Sequence, residues 1–150
     1  MGRISRSWRA FQSLSWPERR ALVRTLALLP LTVASLRVLG FRRTQALLVP
    51  DEPSGNPRAD LLAAQALARI VHGAAPWSPL PANCLPRALI LLRLLRREGL
   101  PAELHLGVGK PGGEFSAHAW VEHSGVPLAE PENSARTFAP LDVTSLSNHT

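Results

Sequence analysis

Apolar residues recur every three or four positions through the first part of the chain and alternate singly with polar ones later on. Leu22, Leu26 and Leu29 share one helical face while Arg20 and Arg24 lie elsewhere, which predicts a helix from Ser15 to Leu29. Its start has Ser15 as N-cap, Pro17 in the first turn and Glu18 at the third helical position, the capping-box pattern. Pro30 is expected to end or kink this helix. A second stretch, Leu31 to Leu39, is predicted to stop at Gly40, and a short apolar piece, Ala46 to Val49, follows. Residues 50–57 hold three prolines and a glycine, the composition of a linker. They divide the chain into a helical N-terminal segment, residues 1–49, and a core, residues 58–150.

Within the core, Arg58 to His72 reads as a helix with Leu61, Leu62, Ala66 and Ile70 on its apolar side and Gly73 as its stop. A proline-rich loop delivers the chain to Asn83, the expected N-cap of a helix that begins at Cys84 and ends at Gly99. That helix is apolar on most sides, as expected of one packed centrally against a sheet. Ala102 to Val108 alternates, with Leu104, Leu106 and Val108 on one strand face and His105 opposite, toward solvent. After a Lys110–Gly113 turn, Ser116 to Glu122 forms a second strand, and the turn at His123-Ser124-Gly125 leads into a return strand, Val126 to Glu130. Helix, strand and hairpin in that order predict an α+β fold, an antiparallel sheet packed on the Cys84 helix.

Composition narrows the class. A hydrophobic content of 45% supports a packed core, and 150 residues fit one compact domain with an appendage. A single cysteine excludes a disulfide framework and a cysteine-rich zinc module. A zinc site drawn from Cys84, His105, His118 and His123 would lack any ligand pair at the usual spacing, so no metal and no cofactor is expected. The longest uncharged stretch of the N-terminal segment, Thr25 to Leu36, has twelve residues and contains Pro30. That is too short for a transmembrane segment, and no secretory signal pattern precedes it, so a cytoplasmic, reduced protein is expected. Nine arginines against the single acid Glu18 leave residues 1–50 at +8, whereas seven arginines and one lysine against ten acids leave residues 51–150 at −2. The arginines alternate with leucines at helical spacing, which fits an amphipathic docking segment, or a cap over the core, rather than a nucleic-acid-binding arm.

The candidate chemistry centres on Cys84. The free N–H groups and the positive dipole end of a helix favour a thiolate there, and a histidine on a later strand can act as its base. Alternation places His118, Trp120 and Glu122 on one face of their strand. If that face meets the start of the Cys84 helix, His118 contacts the thiol and Trp120 screens the pair from water. The imidazole then needs an orienting acceptor. The hairpin brings Glu130 nearest, ahead of Glu132 and, more remotely, Asp142. Arg87, one turn after Cys84, either binds a substrate carboxylate or ties the helix to the sheet. His72, beside Gly73 at a helix end, reads as a dipole partner or plain surface.

Four blocks in order, Cys84-Leu85-Pro86-Arg87-Ala88-Leu89, Leu94-Leu95-Arg96-Arg97-Glu98-Gly99-Leu100-Pro101-Ala102-Glu103-Leu104, Gly107-Val108 and Ala117-His118-Ala119-Trp120-Val121-Glu122, resemble the lasso-peptide B2 proteins over roughly residues 58–140. These are transglutaminase-like, papain-related cysteine proteases that remove the leader from ribosomally made lasso precursors. The resemblance implies that Cys84 is the nucleophile, His118 the general base and Glu130 the acid, in a position where the family commonly has aspartate. It leaves Arg87 and Trp120 as candidate substrate-binding residues. It also implies partners: the precursor leader peptide, a separate leader-binding B1 protein and a lasso cyclase. Acyl transfer to an amine through the same thioester, and a non-catalytic adaptor that assembles precursor and cyclase, are the competing expectations.

Overall fold

The computed structural model describes residues 14–54, 60–130 and 137–141. Glu132 and Asp142, the alternative acids, and Arg58 lie outside them. The fold is α+β: among the described residues there are three α-helices, α1 (Trp16–Leu48), α2 (Leu61–Ala74) and α3 (Cys84–Arg97), followed by strands β1 (Glu103–Gly109), β2 (Ser116–His123), β3 (Val126–Pro127) and β4 (Phe138–Pro140). The strands make one antiparallel sheet in the order β3-β2-β1-β4.

Helix α3 is central. Ala88 to Leu92, Leu94 and Leu95 are all buried, because α1 and α2 pack on one side of α3 and β1 and β2 on the other. Pro86 falls in its first turn, where a backbone N–H would have no helical acceptor anyway. The sheet meets α3 through Leu104, Leu106, Ala119 and Val121, which join the same hydrophobic cluster as Leu29 of α1 and Ala64, Ala68 and Val71 of α2.

Helix α1 corrects two expectations. It runs through Pro30 without a break, and the departure from helical geometry lies at Gly40, with φ 76° and ψ 176°. An interior proline costs the helix one hydrogen bond and a steric clash, about 3 kcal/mol. Here Leu29, Thr32 and Val33, buried on both sides of it, hold the helix together. The capping box is present: Glu18 accepts from the Ser15 backbone N–H and from its hydroxyl, each at 2.7 Å. Because the helical run continues past Pro30 to Gly40, with an 18-residue window of mean hydropathy 1.7, α1 is long and apolar enough to cross a membrane by length and composition. The twelve-residue limit read from the uncharged stretch no longer applies. A stripe of α1 containing Ala21, Thr25, Leu29, Thr32 and Val33 is nevertheless buried against the rest of the protein.

The joint after α1 is tied to the core. Arg93 donates to the Leu48 carbonyl, an acceptor that the end of α1 leaves open, and Arg96 donates to the carbonyls of Pro50 and Asp51 in the joint at 2.7 and 3.0 Å. Helix α2 begins with Asp60 as its cap, accepting from the Ala63 N–H at 3.0 Å. It runs through Gly73, the expected stop, into a short 3₁₀ turn at Ala75–Trp77. His123, buried at the end of β2, links three segments: Nδ1 donates to the Pro101 carbonyl at 2.6 Å and Nε2 accepts from the Asp60 N–H at 3.2 Å. A carbonyl can only accept and an N–H can only donate, so the ring is the neutral Nδ1–H tautomer.

Candidate active site

Cys84 is the first residue of α3, and the local chain leaves that helix end open. Asn83 occupies the N-cap position in an extended conformation, but its side chain makes no cap hydrogen bond, contrary to the sequence expectation. Its carbonyl accepts from Arg87 Nε at 3.1 Å instead. With no capping side chain, the first-turn N–H groups and the positive end of the dipole remain uncompensated beside the thiol.

Cys84 shares a cavity of about 200 Å³ with His72, Arg87, His118, Trp120 and Glu130. His118 Nε2 donates to Glu130 Oε2 at 2.8 Å, and the Glu130 side chain is only 6% exposed, so the carboxylate is held out of water. With Nε2 engaged, Nδ1 is the nitrogen left free for a thiol.

How Glu130 reaches His118 differs from the expected hairpin. The turn at Ser124 and Gly125, with φ of 53° and 76°, fits a two-residue type I′ connection. The return strand itself is only Val126–Pro127, extended by a Leu128 N–H bond to the Val121 carbonyl at 2.9 Å. In an unbroken ladder of that register, Glu130 would stand opposite Ala119 and share its face, turned away from His118. Ala129, with φ 54°, breaks the ladder and brings Glu130 onto the histidine.

The body of helix α3 packs on the side of Ala119 and Val121, and His118 and Trp120 meet only its start, where Cys84 lines the same cavity. The outer face carries a stack: His118 on Trp120 at 6.0 Å between centroids, Trp120 on His105 at 5.6 Å, and Phe138 tilted against His118 at 5.0 Å. Trp120 is 4% exposed and its indole N–H donates to Glu122 at 2.9 Å, so it buttresses the His118 ring while lining the cavity. His105, expected in solvent, is half-buried under Trp120, with Nε2 3.5 Å from a Glu122 oxygen. Gly107 pairs with His118 across the sheet. A Cβ there would lie 2.9 Å from both Phe138 Cβ and the Trp120 ring, so only glycine lets the stack close.

His72 is the residue that sequence reasoning passed over. It projects from the last turn of α2 into the cavity, and its pKa is lowered first by burial and then by the Arg87 charge, with Glu130 opposing and His118 adding to the depression. Its ring is therefore neutral at pH 7. The periodicity of α2 carried the signal: His72 falls next to Val71 and Ala68, both buried. The described residues include no group of three or more His, Cys, Asp or Glu able to hold a metal ion.

An open helix start bearing the lone thiol, and a histidine oriented by a buried carboxylate in the same cleft, define a papain-like cysteine-enzyme geometry. Residues 25–143 match the family model described as the transglutaminase-like superfamily, and the chain belongs to that superfamily. The match includes Cys84, His118 and Glu130 and begins within α1. No curated protein and no solved structure matches the chain.

Proposed function

We propose that this protein is the leader peptidase of lasso-peptide biosynthesis, a cysteine endopeptidase that cuts the leader from a ribosomal precursor in the cytoplasm. The observation that carries catalysis is the His118–Glu130 hydrogen bond in the cavity that Cys84 lines. The four sequence blocks supply the finer reading. His118 Nδ1 takes the Cys84 proton, and the thiolate attacks the scissile carbonyl. The Cys84 N–H at the start of α3 donates to the developing oxyanion. The imidazolium then protonates the leaving amine, and water, deprotonated by His118, hydrolyses the thioester. Glu130 keeps Nε2 protonated and offsets the imidazolium charge throughout.

The precursor leader reaches this site through a separate leader-binding protein of the B1 kind, and the product passes to a lasso cyclase. The outward side of α1 supports a docking role, since Val23, Leu31 and Val38 are 58%, 62% and 81% exposed and Arg20, Arg37, Arg42 and Arg43 lie exposed along the same helix. Such a surface fits an acidic, apolar partner face. The test is mass spectrometry of precursor incubated with the enzyme, with and without the leader-binding protein, in buffer alone and with added amine. Hydrolysis at one bond, dependent on the partner and unaffected by amine, is expected. Amide transfer to the added amine would instead identify an acyltransferase.

A further inference from the structure

The cavity beside Cys84 contains two polar groups that the cleavage chemistry does not use. Arg87 spends Nε on the Asn83 carbonyl, one turn back in its own helix. Among the described residues its guanidinium has no carboxylate within ion-pair distance, so its terminal nitrogens are uncommitted and it does not tie α3 to the sheet. His72 approaches from α2, and among the described residues its ring makes no hydrogen bond. Among the described residues, a half-buried arginine without a counter-charge therefore faces an imidazole without a hydrogen-bond partner across a cleft of about 200 Å³, which leaves polar groups available to an anion.

We propose that Arg87 and His72 form an anion subsite next to Cys84 that takes a carboxylate of the peptide substrate, carried on a residue adjoining the scissile bond. This rests on the reading of Cys84 as the reactive thiol and adds the chemical class of residue placed beside it. The charges facing His72 are Arg87 from α3, His118 from β2 and Glu130 after β3. Glu130 does not fill the subsite, because its carboxylate is engaged with His118 at 2.8 Å. An arriving carboxylate meets the guanidinium first. It also adds a negative neighbour to His72, which favours the imidazolium, so binding draws a proton onto His72 and tightens as pH falls toward 6.

Alkylation of Cys84 tests this without a peptide. Iodoacetate and iodoacetamide react by the same step: the thiolate sulfur forms a bond to the methylene carbon and iodide leaves. They differ in carrying a carboxylate or an amide. Comparing their rates at one pH cancels the thiolate fraction, and dividing by the same ratio for a small free thiol cancels intrinsic reactivity. The expected result is an iodoacetate preference about tenfold above the free thiol, the scale of one charge-assisted hydrogen bond, and larger at pH 6 than at pH 8. Arg87→Gln and His72→Gln, both checked for a native denaturation midpoint, should each shrink it, Arg87→Gln toward unity. A ratio that stays high in both variants would assign the preference to the His118 charge and overturn the subsite, as would a wild-type ratio equal to the free thiol. Failure of both reagents to label Cys84 would contradict the nucleophile reading and take the subsite with it. The peptide arm uses substrates with Asp, Asn or a terminal carboxylate next to the scissile bond. A lower KM for one of the two carboxylates identifies its source, and equal KM values for Asp, Asn and the terminal acid would count against the proposal.

Discussion

At the level of single residues, the site depends on which atom each polar group has been assigned. Glu130 fixes Nε2 of His118 as a donor, so replacing its carboxylate by an amide removes the charge and allows the wrong tautomer. Glu130→Gln should therefore fold normally and lose about 10²–10⁴ in kcat, the range that one acid–base contribution spans. A wild-type rate in that variant would place the acid elsewhere, among the residues not described. His72 gives a pH signature of a different kind. Its folded pKa lies below its ordinary value of 6.5, so the unfolded chain binds the proton more readily. Its contribution to stability is present above that value and is lost as pH falls below it toward the lowered one. Denaturation midpoints of the wild type should drop between pH 7.5 and 5.5 by more than those of His72→Gln. That His118 and Glu130 would meet, in a cavity that Cys84 also lines, was legible from the order of the elements. His72 was not, since a histidine near a glycine resembles a helix end until the tertiary packing of α2 against α3 is known.

Among the elements, the alternation of β1 and β2 and the apolar girth of α3 were readable, because one period per element is enough to assign it. The boundaries that depend on tertiary support were not. Pro30 lies inside α1 since buried neighbours flank it, and the return strand ends at Pro127 because Ala129 leaves the ladder. Gly107 is where element packing and site meet. Gly107→Ala should cost about 1–3 kcal/mol in urea denaturation, because the new methyl meets Phe138, the Trp120 ring and the Ala139 carbonyl at 3.0 Å or less. It should also lower kcat by displacing the stack that seats His118. Unchanged stability would mean that the sheet relaxes around the methyl. Gly40, in a φ/ψ region nearly confined to glycine, should be as sensitive: Gly40→Ala is expected to cost about 1–3 kcal/mol.

For the molecule as a whole, the notable feature is how α1 combines two roles. One stripe of it is buried with the core cluster while the other carries exposed valines, leucines and arginines. Deleting residues 1–49 would remove Leu29 and Val49 from the core and expose α3, so it cannot separate docking from folding. Outward substitutions can. Leu31→Glu with Val38→Glu should leave the denaturation midpoint within about 0.5 kcal/mol, as surface changes usually do, yet weaken processing of a precursor presented by the leader-binding protein. Wild-type processing should also weaken as salt rises, since exposed charges are screened over about 8 Å at physiological ionic strength. Equal processing by the double variant would make the outward stripe irrelevant to docking. The uneven charge that marked residues 1–50 was plain in the sequence. The sharing of one core between that segment and the rest was not, because a proline-rich joint reads as a boundary until the Arg93 and Arg96 bonds across it are seen.

The central claim is that Cys84 forms and releases a thioester with a precursor peptide. Its most direct measurement is precursor cleavage by wild type and Cys84→Ala side by side, with the leader-binding protein present and the acyl-enzyme trapped by acid quench in the wild-type reaction. The account predicts a leader fragment attached to Cys84 at early times, one hydrolysed bond at late times, and neither species in Cys84→Ala, whose denaturation midpoint stays near that of the wild type. Cleavage by a folded Cys84→Ala protein at the wild-type rate would contradict it.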